Sequence, residues 1–134
     1  MRSSDVVRGL YDAFGRGDVP AVLGLFDPAI EWREADNFLY ADRNPYVGPA
    51  AVAEGVFMRI VSDVDGFTVV PQRFTDGGET VVVEGRYRGT MKATGAPIDA
   101  QFVHVWGVAG GKIATFQQYT DTKQWADASA AVGA

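Results

Sequence analysis

A chain of 134 residues, 47% hydrophobic and 22% charged, is the size and composition of one globular domain with a single sizeable core, which excludes the disordered and fibrous classes. It contains no cysteine, so a disulfide framework, a thiolate metal site and a cysteine nucleophile are excluded. The formal net charge of −5 is spread along the chain without a basic stripe, so nucleic acid is not an expected partner. The opening MRSSDVVRGLYDAFGRGD lacks the apolar core of a signal peptide, and no run reaches membrane-spanning length. A cytoplasmic protein without a membrane partner is expected.

Ser3, Ser4 and Asp5 can cap a first helix whose apolar side chains Val6, Leu10 and Phe14 recur at helical spacing, with Val7 and Tyr11 beside them. Gly17 closes it. Asp18 caps a short second helix with Pro20 in its first turn, and Asp27-Pro28 stops that one. Ala29 to Arg33 reads as a strand with Ile30 and Trp32 on one side and Glu31 and Arg33 on the other. From Glu34 to Val47 there is no period, but the stretch carries Phe38, Tyr40 and Tyr46, which marks it as a lid, rim or binding loop.

Gly48-Pro49 opens the longest predicted helix, with Val52, Val56, Phe57, Ile60, Val61 and Val64 as its apolar stripe and Asp65-Gly66 as its end. The period then changes to two. Four strands are predicted over 67–75, 80–92, 98–108 and 112–120, turning at Gly77-Gly78, Gly95-Ala96-Pro97 and Gly110-Gly111. In the second of these, Val81, Val83, Gly85, Tyr87, Gly89 and Met91 share a face. The core is expected over about 5–122 of a single domain, with 123–134 as a frayed or partly helical tail. Helices first and antiparallel strands afterwards give an α+β fold, with helices on one face of a curved sheet that encloses a cone-shaped cavity, the default site.

The last two strands carry the only histidine, His104, and end on Gln118, Tyr119 and Asp121. His104 alternates with Phe102 and Trp106; burial would keep it neutral and able to hydrogen-bond or take a proton, unless it is a structural histidine bonded to backbone or to Gln118. Gln118 shares a face with Phe116 and is expected to line the pocket. Asp121 falls on the opposite face and reaches the pocket only through a bulge; otherwise it is a strand-to-turn cap. Trp32 and Tyr40 are expected as walls or lid contacts. One histidine and no cysteine leave only carboxylates for a metal, and no metal or cofactor is expected.

Several short motifs, in this order, resemble the nuclear transport factor 2-like superfamily, and within it SnoaL-like proteins related to ketosteroid isomerases and polyketide cyclases. They are Gly17-Asp18, LFDPAIEW at Leu25 to Trp32, YVGPAAVAEGVF at Tyr46 to Phe57, FVHVWGVAGGKI at Phe102 to Ile113 and YTD at Tyr119 to Asp121. The resemblance implies a cone-shaped α+β barrel wrapped around the long helix and a homodimer built across the sheet. It also implies a pocket for an apolar, carbonyl-bearing or polyketide-like molecule. The base of the related isomerases falls near Arg33 or Glu34, their tyrosine at Leu10 beside Tyr11, and their oxyanion acid at Phe102 or Val103, so steroid isomerisation by that mechanism is not implied. The cyclase pattern matches better. It assigns acid–base roles to His104 and Asp121; the strand faces and the loop place Gln118, Tyr40, Trp32, Phe102, Trp106 and Phe116 around the substrate. The expectation is a cofactor-independent isomerase, cyclase or dehydratase; the alternative is a non-catalytic binding module of the same fold.

Overall fold

The structure, a computed structural model, describes residues 2–130. Two helices open it, α1 (Ser3–Gly15) and α2 (Val19–Gly24), followed by strand β1 (Phe26–Arg33) and, after a loop, the two-residue strand β2 (Tyr46–Val47). A continuous helical stretch comes next: α3 (Pro49–Val52), a π-helical turn (Ala53–Phe57) and α4 (Met58–Asp63). The remaining chain gives β3 (Val64–Asp76), β4 (Thr80–Met91), β5 (Pro97–Ala109), β6 (Lys112–Thr120) and α5 (Thr122–Ser129).

The local causes are ordinary. Asp5 accepts the Arg2 N–H at 3.1 Å at the start of α1, and Asp18 accepts the Ala21 N–H at 3.1 Å at the start of α2. The β5–β6 hairpin turns on Gly110 and Gly111, whose φ angles of +58° and +75° favour residues without a Cβ. All six strands form one sheet in the order β2-β1-β6-β5-β4-β3, antiparallel except for the parallel β1–β6 pair. Register shifts in β1, β3 and beside Gly107 add bends to this sheet. Its inner face carries Val81, Val83 and Tyr87 from β4, and Phe102, His104 and Trp106 from β5, all buried. The chain is thus the expected α+β cone, with helices against the concave side of the sheet.

Two expectations are corrected. Val61 is 63% exposed, because the π-helical turn inserts an extra residue and rotates α4 out of the phase that a regular helix would keep. That turn is bound up with Gly55, where a Cβ would sit 2.1 Å from the Tyr46 ring. The stretch from 123 onwards, read as a frayed or partly helical tail outside the core, runs as helix α5 to Ser129, and the core extends into it, since its Trp125 is fully buried. Residues 131–134 lie outside the described residues. Among the described residues, no helix is long and apolar enough to cross a membrane.

Candidate functional site

The cone encloses a cavity of about 60 Å³. Its walls come from α1 (Leu10, Tyr11), β1 (Trp32), the helical stretch (Val56, Phe57, Ile60), the sheet (Tyr87, His104, Trp106, Phe116, Gln118) and α5 (Trp125). Phe14, Phe67 and Val69 are its only half-exposed members, so it meets solvent between α1 and β3. A water needs roughly 10–15 Å³ of such space, so this shape admits a handful of waters or a compact molecule.

Glu34 is the one carboxyl in the wall. Ile30 and Trp32 point inward from β1, and the same alternation carried one step beyond the strand turns Glu34 inward too. Asn44 fixes it there: its Oδ1 accepts the Glu34 N–H and its Nδ2 donates to the Glu34 carbonyl, both at 2.9 Å. The side chain is left in an apolar wall. Glu34 is 2% exposed and its Oε2 has no hydrogen-bond partner. Burial pushes the carboxyl up to about 8, opposed by the neighbouring Trp32 indole and by the field of Arg59. The Trp32 N–H is close enough to act on the carboxyl, yet it makes no hydrogen bond of normal geometry. A carboxyl of this kind can take and return a proton near neutral pH.

On the neighbouring strands lies a chain of hydrogen bonds centred on His104. Its Nδ1 is 2.6 Å from the Tyr11 hydroxyl and its Nε2 is 2.5 Å from the Tyr87 hydroxyl. The Trp106 indole donates to the Tyr11 oxygen at 3.0 Å, and Gln118 Nε2 donates to the Tyr87 oxygen at 2.9 Å. Ala35 N–H donates to Gln118 Oε1 at 3.2 Å, which fixes the amide's orientation. Burial holds the imidazole down to about 3, so His104 is neutral at any ordinary pH. Both tyrosines are raised above their usual value, chiefly by burial, and the Glu34 charge adds to the rise at Tyr87.

The loop after β1 is strapped over this site. Tyr40 donates to Asp63 at 2.7 Å, and Tyr46 donates to the Tyr40 carbonyl at 2.5 Å. Burial and then the Asp63 carboxylate raise the Tyr40 phenol. Arg59 stacks over the Tyr40 ring at 4.5 Å and forks onto Asp42 at 2.9 and 3.2 Å. Its cation is therefore held near Glu34 by groups other than Glu34.

Of the residues singled out from sequence, Trp32, Tyr40, His104, Trp106, Phe116 and Gln118 meet in this cavity. Phe102 does not line it; it lies behind, stacked on His104 with ring centroids 4.0 Å apart. Asp121 does not reach it either. No bulge interrupts the end of β6, so alternation keeps Asp121 outside, where it is exposed and accepts the Gln124 N–H at 3.2 Å as the N-cap of α5. The structure does not bring His104 and Asp121 together: the two groups face different sides of the sheet, and the imidazole has both nitrogens engaged. From sequence, Glu34 and Tyr11 enter only as positions at or beside the catalytic groups of related isomerases, and Tyr87 only as a member of a shared strand face, although alternation along β4 places Tyr87 inward. Trp125 had no such signal, lying in a short Ala-rich segment. Among the described residues, no group of three or more His, Asp or Glu side chains could hold a metal.

A SnoaL-like domain model matches residues 7–116. The chain belongs to the SnoaL-like family. The crystal structure of an NTF2-like protein from Burkholderia thailandensis is 36% identical, covering 96% of this chain and 98% of that one, with a TM-score of 0.92. An NTF2-like protein of unknown function from Burkholderia pseudomallei is 28% identical over 93% of this chain and 95% of its own, with a TM-score of 0.84. A Catenulispora acidiphila protein with a ketosteroid isomerase-like fold, crystallised with trimethylamine, is 18% identical over 93% of this chain and 92% of its own; its TM-score of 0.78 shows the shared SnoaL-like fold alone. No curated protein matches the chain.

Proposed function

We propose that this SnoaL-like protein is a cofactor-independent acid–base enzyme for a compact carbonyl compound, with Glu34 as its proton-transfer group. The observation that carries the reading is the isolated Glu34 carboxyl, buried without a partner on one oxygen in an otherwise apolar cavity and poised near 8. Ionised Glu34 takes the proton from the carbon next to the substrate carbonyl. The C–H electron pair becomes the carbon–carbon double bond of an enolate, and the negative charge moves to the carbonyl oxygen, which accepts a tyrosyl hydrogen bond. Protonated Glu34 then returns the proton. Delivery to a different carbon is an isomerisation, and attack of the enolate on a second carbonyl within the molecule is an aldol cyclisation.

The aromatic walls favour a flat, apolar body, and the narrow space favours a small one. The test uses cyclohex-3-enone and cyclohexanone in deuterated water, following carbon-bound deuterium by NMR and conjugation by absorbance. Wild-type protein is expected to accelerate exchange or conjugation, and Glu34→Gln to lose that acceleration while still binding the ketone. Equal rates with and without wild-type protein reject the enzymatic reading; binding without exchange assigns the chain to the non-catalytic ligand-binding alternative.

A further inference from the structure

The hydrogen bonds around His104 can be counted to a definite end. Trp106 Nε1 can only donate, so one lone pair of the Tyr11 oxygen is taken. Gln118 presents its amide nitrogen to Tyr87, because its oxygen is engaged by the Ala35 N–H, so one lone pair of the Tyr87 oxygen is taken as well. Each tyrosine then has one lone pair and its own hydrogen left for His104 and for the cavity. Two donations from His104 would need an imidazolium, which this buried site holds off down to a pH of about 3. Two donations to His104 would need an imidazolate. A neutral ring has one N–H, which leaves two arrangements. In one, Tyr11 donates to Nδ1 while Nε2–H donates to Tyr87, and the Tyr87 hydrogen is unspent. In the other, the roles reverse and the Tyr11 hydrogen is unspent. Both hydroxyls belong to cavity-lining residues.

We propose that His104 is a tautomeric relay that leaves one phenolic hydrogen, and only one, for the occupant of the cavity, and that ionised Glu34 directs this hydrogen to Tyr87. The use of that hydrogen on a carbonyl rests on the function proposed above; the relay itself does not. Gln118 joins the Tyr87 oxygen to the Ala35 N–H next to Glu34, so Tyr87 is the hydroxyl tied to the Glu34 segment; the Glu34 charge, which also adds to the rise of the Tyr87 phenol, draws the Tyr87 hydrogen into the cavity and selects the Nε2–H ring. In that state the Tyr87 oxygen accepts from Gln118 and His104 and has no lone pair to spare. The group it meets must therefore be a pure acceptor, a carbonyl or enolate oxygen, while a hydroxyl or amine there finds a donor but no acceptor. Tyr87 becomes the oxyanion donor, His104 and Tyr11 its positioning residues.

Because His104 is the only histidine, 15N-histidine labelling gives one imidazole to observe. The experiment compares wild type, Glu34→Gln and Tyr87→Phe at a pH of about 9.5, where Glu34, titrating near 8, is ionised. Wild type is expected to show a protonated Nε2 and an unprotonated Nδ1. Glu34→Gln should shift the ratio towards Nδ1–H by about tenfold, the scale of one charge acting on a buried hydroxyl dipole. Tyr87→Phe removes the Nε2 acceptor and should move the proton to Nδ1, since an orphaned donor is the costlier defect. An imidazolium, a dominant Nδ1–H form in wild type, or an unchanged ratio in both variants overturns the proposal. Since the readout needs no turnover, it can fail while the Glu34 reaction stands, and the reverse.

Discussion

β1 and β6 are parallel neighbours, and each leads into a carboxylate at the same end of the sheet, Glu34 after one and Asp121 after the other. The two acids have opposite fates. After β1 the next step of the pleat points inward and Asn44 clamps the peptide, so Glu34 enters the cavity without a full set of partners. After β6 the next step points outward and a helix begins, so Asp121 accepts the backbone N–H of Gln124. Side-chain chemistry is nearly the same in both. Strand parity and the element that follows decide which acid is poised for proton transfer and which is a cap.

The sharpest way to break this comparison is to neutralise each acid in turn. Glu34→Gln is expected to lower the rate of carbonyl proton exchange by about 10²–10⁴-fold, the usual contribution of a general acid–base group. Asp121→Asn keeps the cap and should stay within about twofold, inside the scatter of a surface change. Side-by-side rates on one ketone decide the matter, and a larger loss in Asp121→Asn reverses the assignment.

The second region still shapes the site, but through Trp125. Its ring packs on Phe38 at 5.2 Å and Tyr87 at 5.8 Å and is fully buried. Trp125→Ala should destabilise the fold by about 3–5 kcal/mol in urea unfolding, as for other large aromatic truncations. A loss under about 1 kcal/mol would return this segment to the status of a tail.

The fold was legible because two periods are written plainly: helical spacing in the first third and alternation with glycine turns in the last. The site was only half legible. His104, Gln118, Trp106 and Phe116 sit on one inward face that alternation reveals. Glu34 lies one residue past the end of its strand, where the pattern gives way to a loop without a period, and its burial depends on Asn44 ten residues later. Asp121 was attractive as an acid near a histidine in sequence, but proximity along a strand carries no information about which side of it a group faces. Trp125 is placed by docking of α5, which no local rule in an Ala-rich segment announces.

The buried acid and the buried base also leave opposite marks on stability. Glu34 titrates near 8 in the fold and near 4.5 when exposed, so its stabilising share is complete below about 4.5 and is gone above about 8. His104 titrates near 3 in the fold against 6.5 when exposed, so its share is complete above about 6.5 and is lost as pH falls towards 3. Between 4.5 and 6.5 the two slopes oppose and cancel. From 6.5 to 8 only Glu34 acts, and wild-type stability should fall by up to about 1.4 kcal/mol per pH unit. Glu34→Gln should be flat there in urea unfolding across pH. A wild-type curve equally flat over that window would place Glu34 in contact with water, like Asp121.

The smallest effect is expected at Asp121 itself. Its Oδ1 accepts the Gln124 N–H at 3.2 Å, and the Gln124 amide turns back to donate to Asp121 Oδ2 at 3.4 Å and to the Asp99 carbonyl at 3.1 Å. Asp121→Ala removes the cap and frees this small cluster, costing about 1 kcal/mol, whereas Asp121→Asn should cost a few tenths because an amide oxygen caps as well. Both are read as shifts in the urea midpoint at constant slope. Since α5 carries Trp125 against Tyr87, Asp121→Ala is also the variant through which the outer acid can reach the inner site. A rate loss in Asp121→Ala that Trp125→Phe reproduces would mean that Asp121 acts by seating the helix, and the two carboxylates would then differ in what they touch rather than in whether they matter.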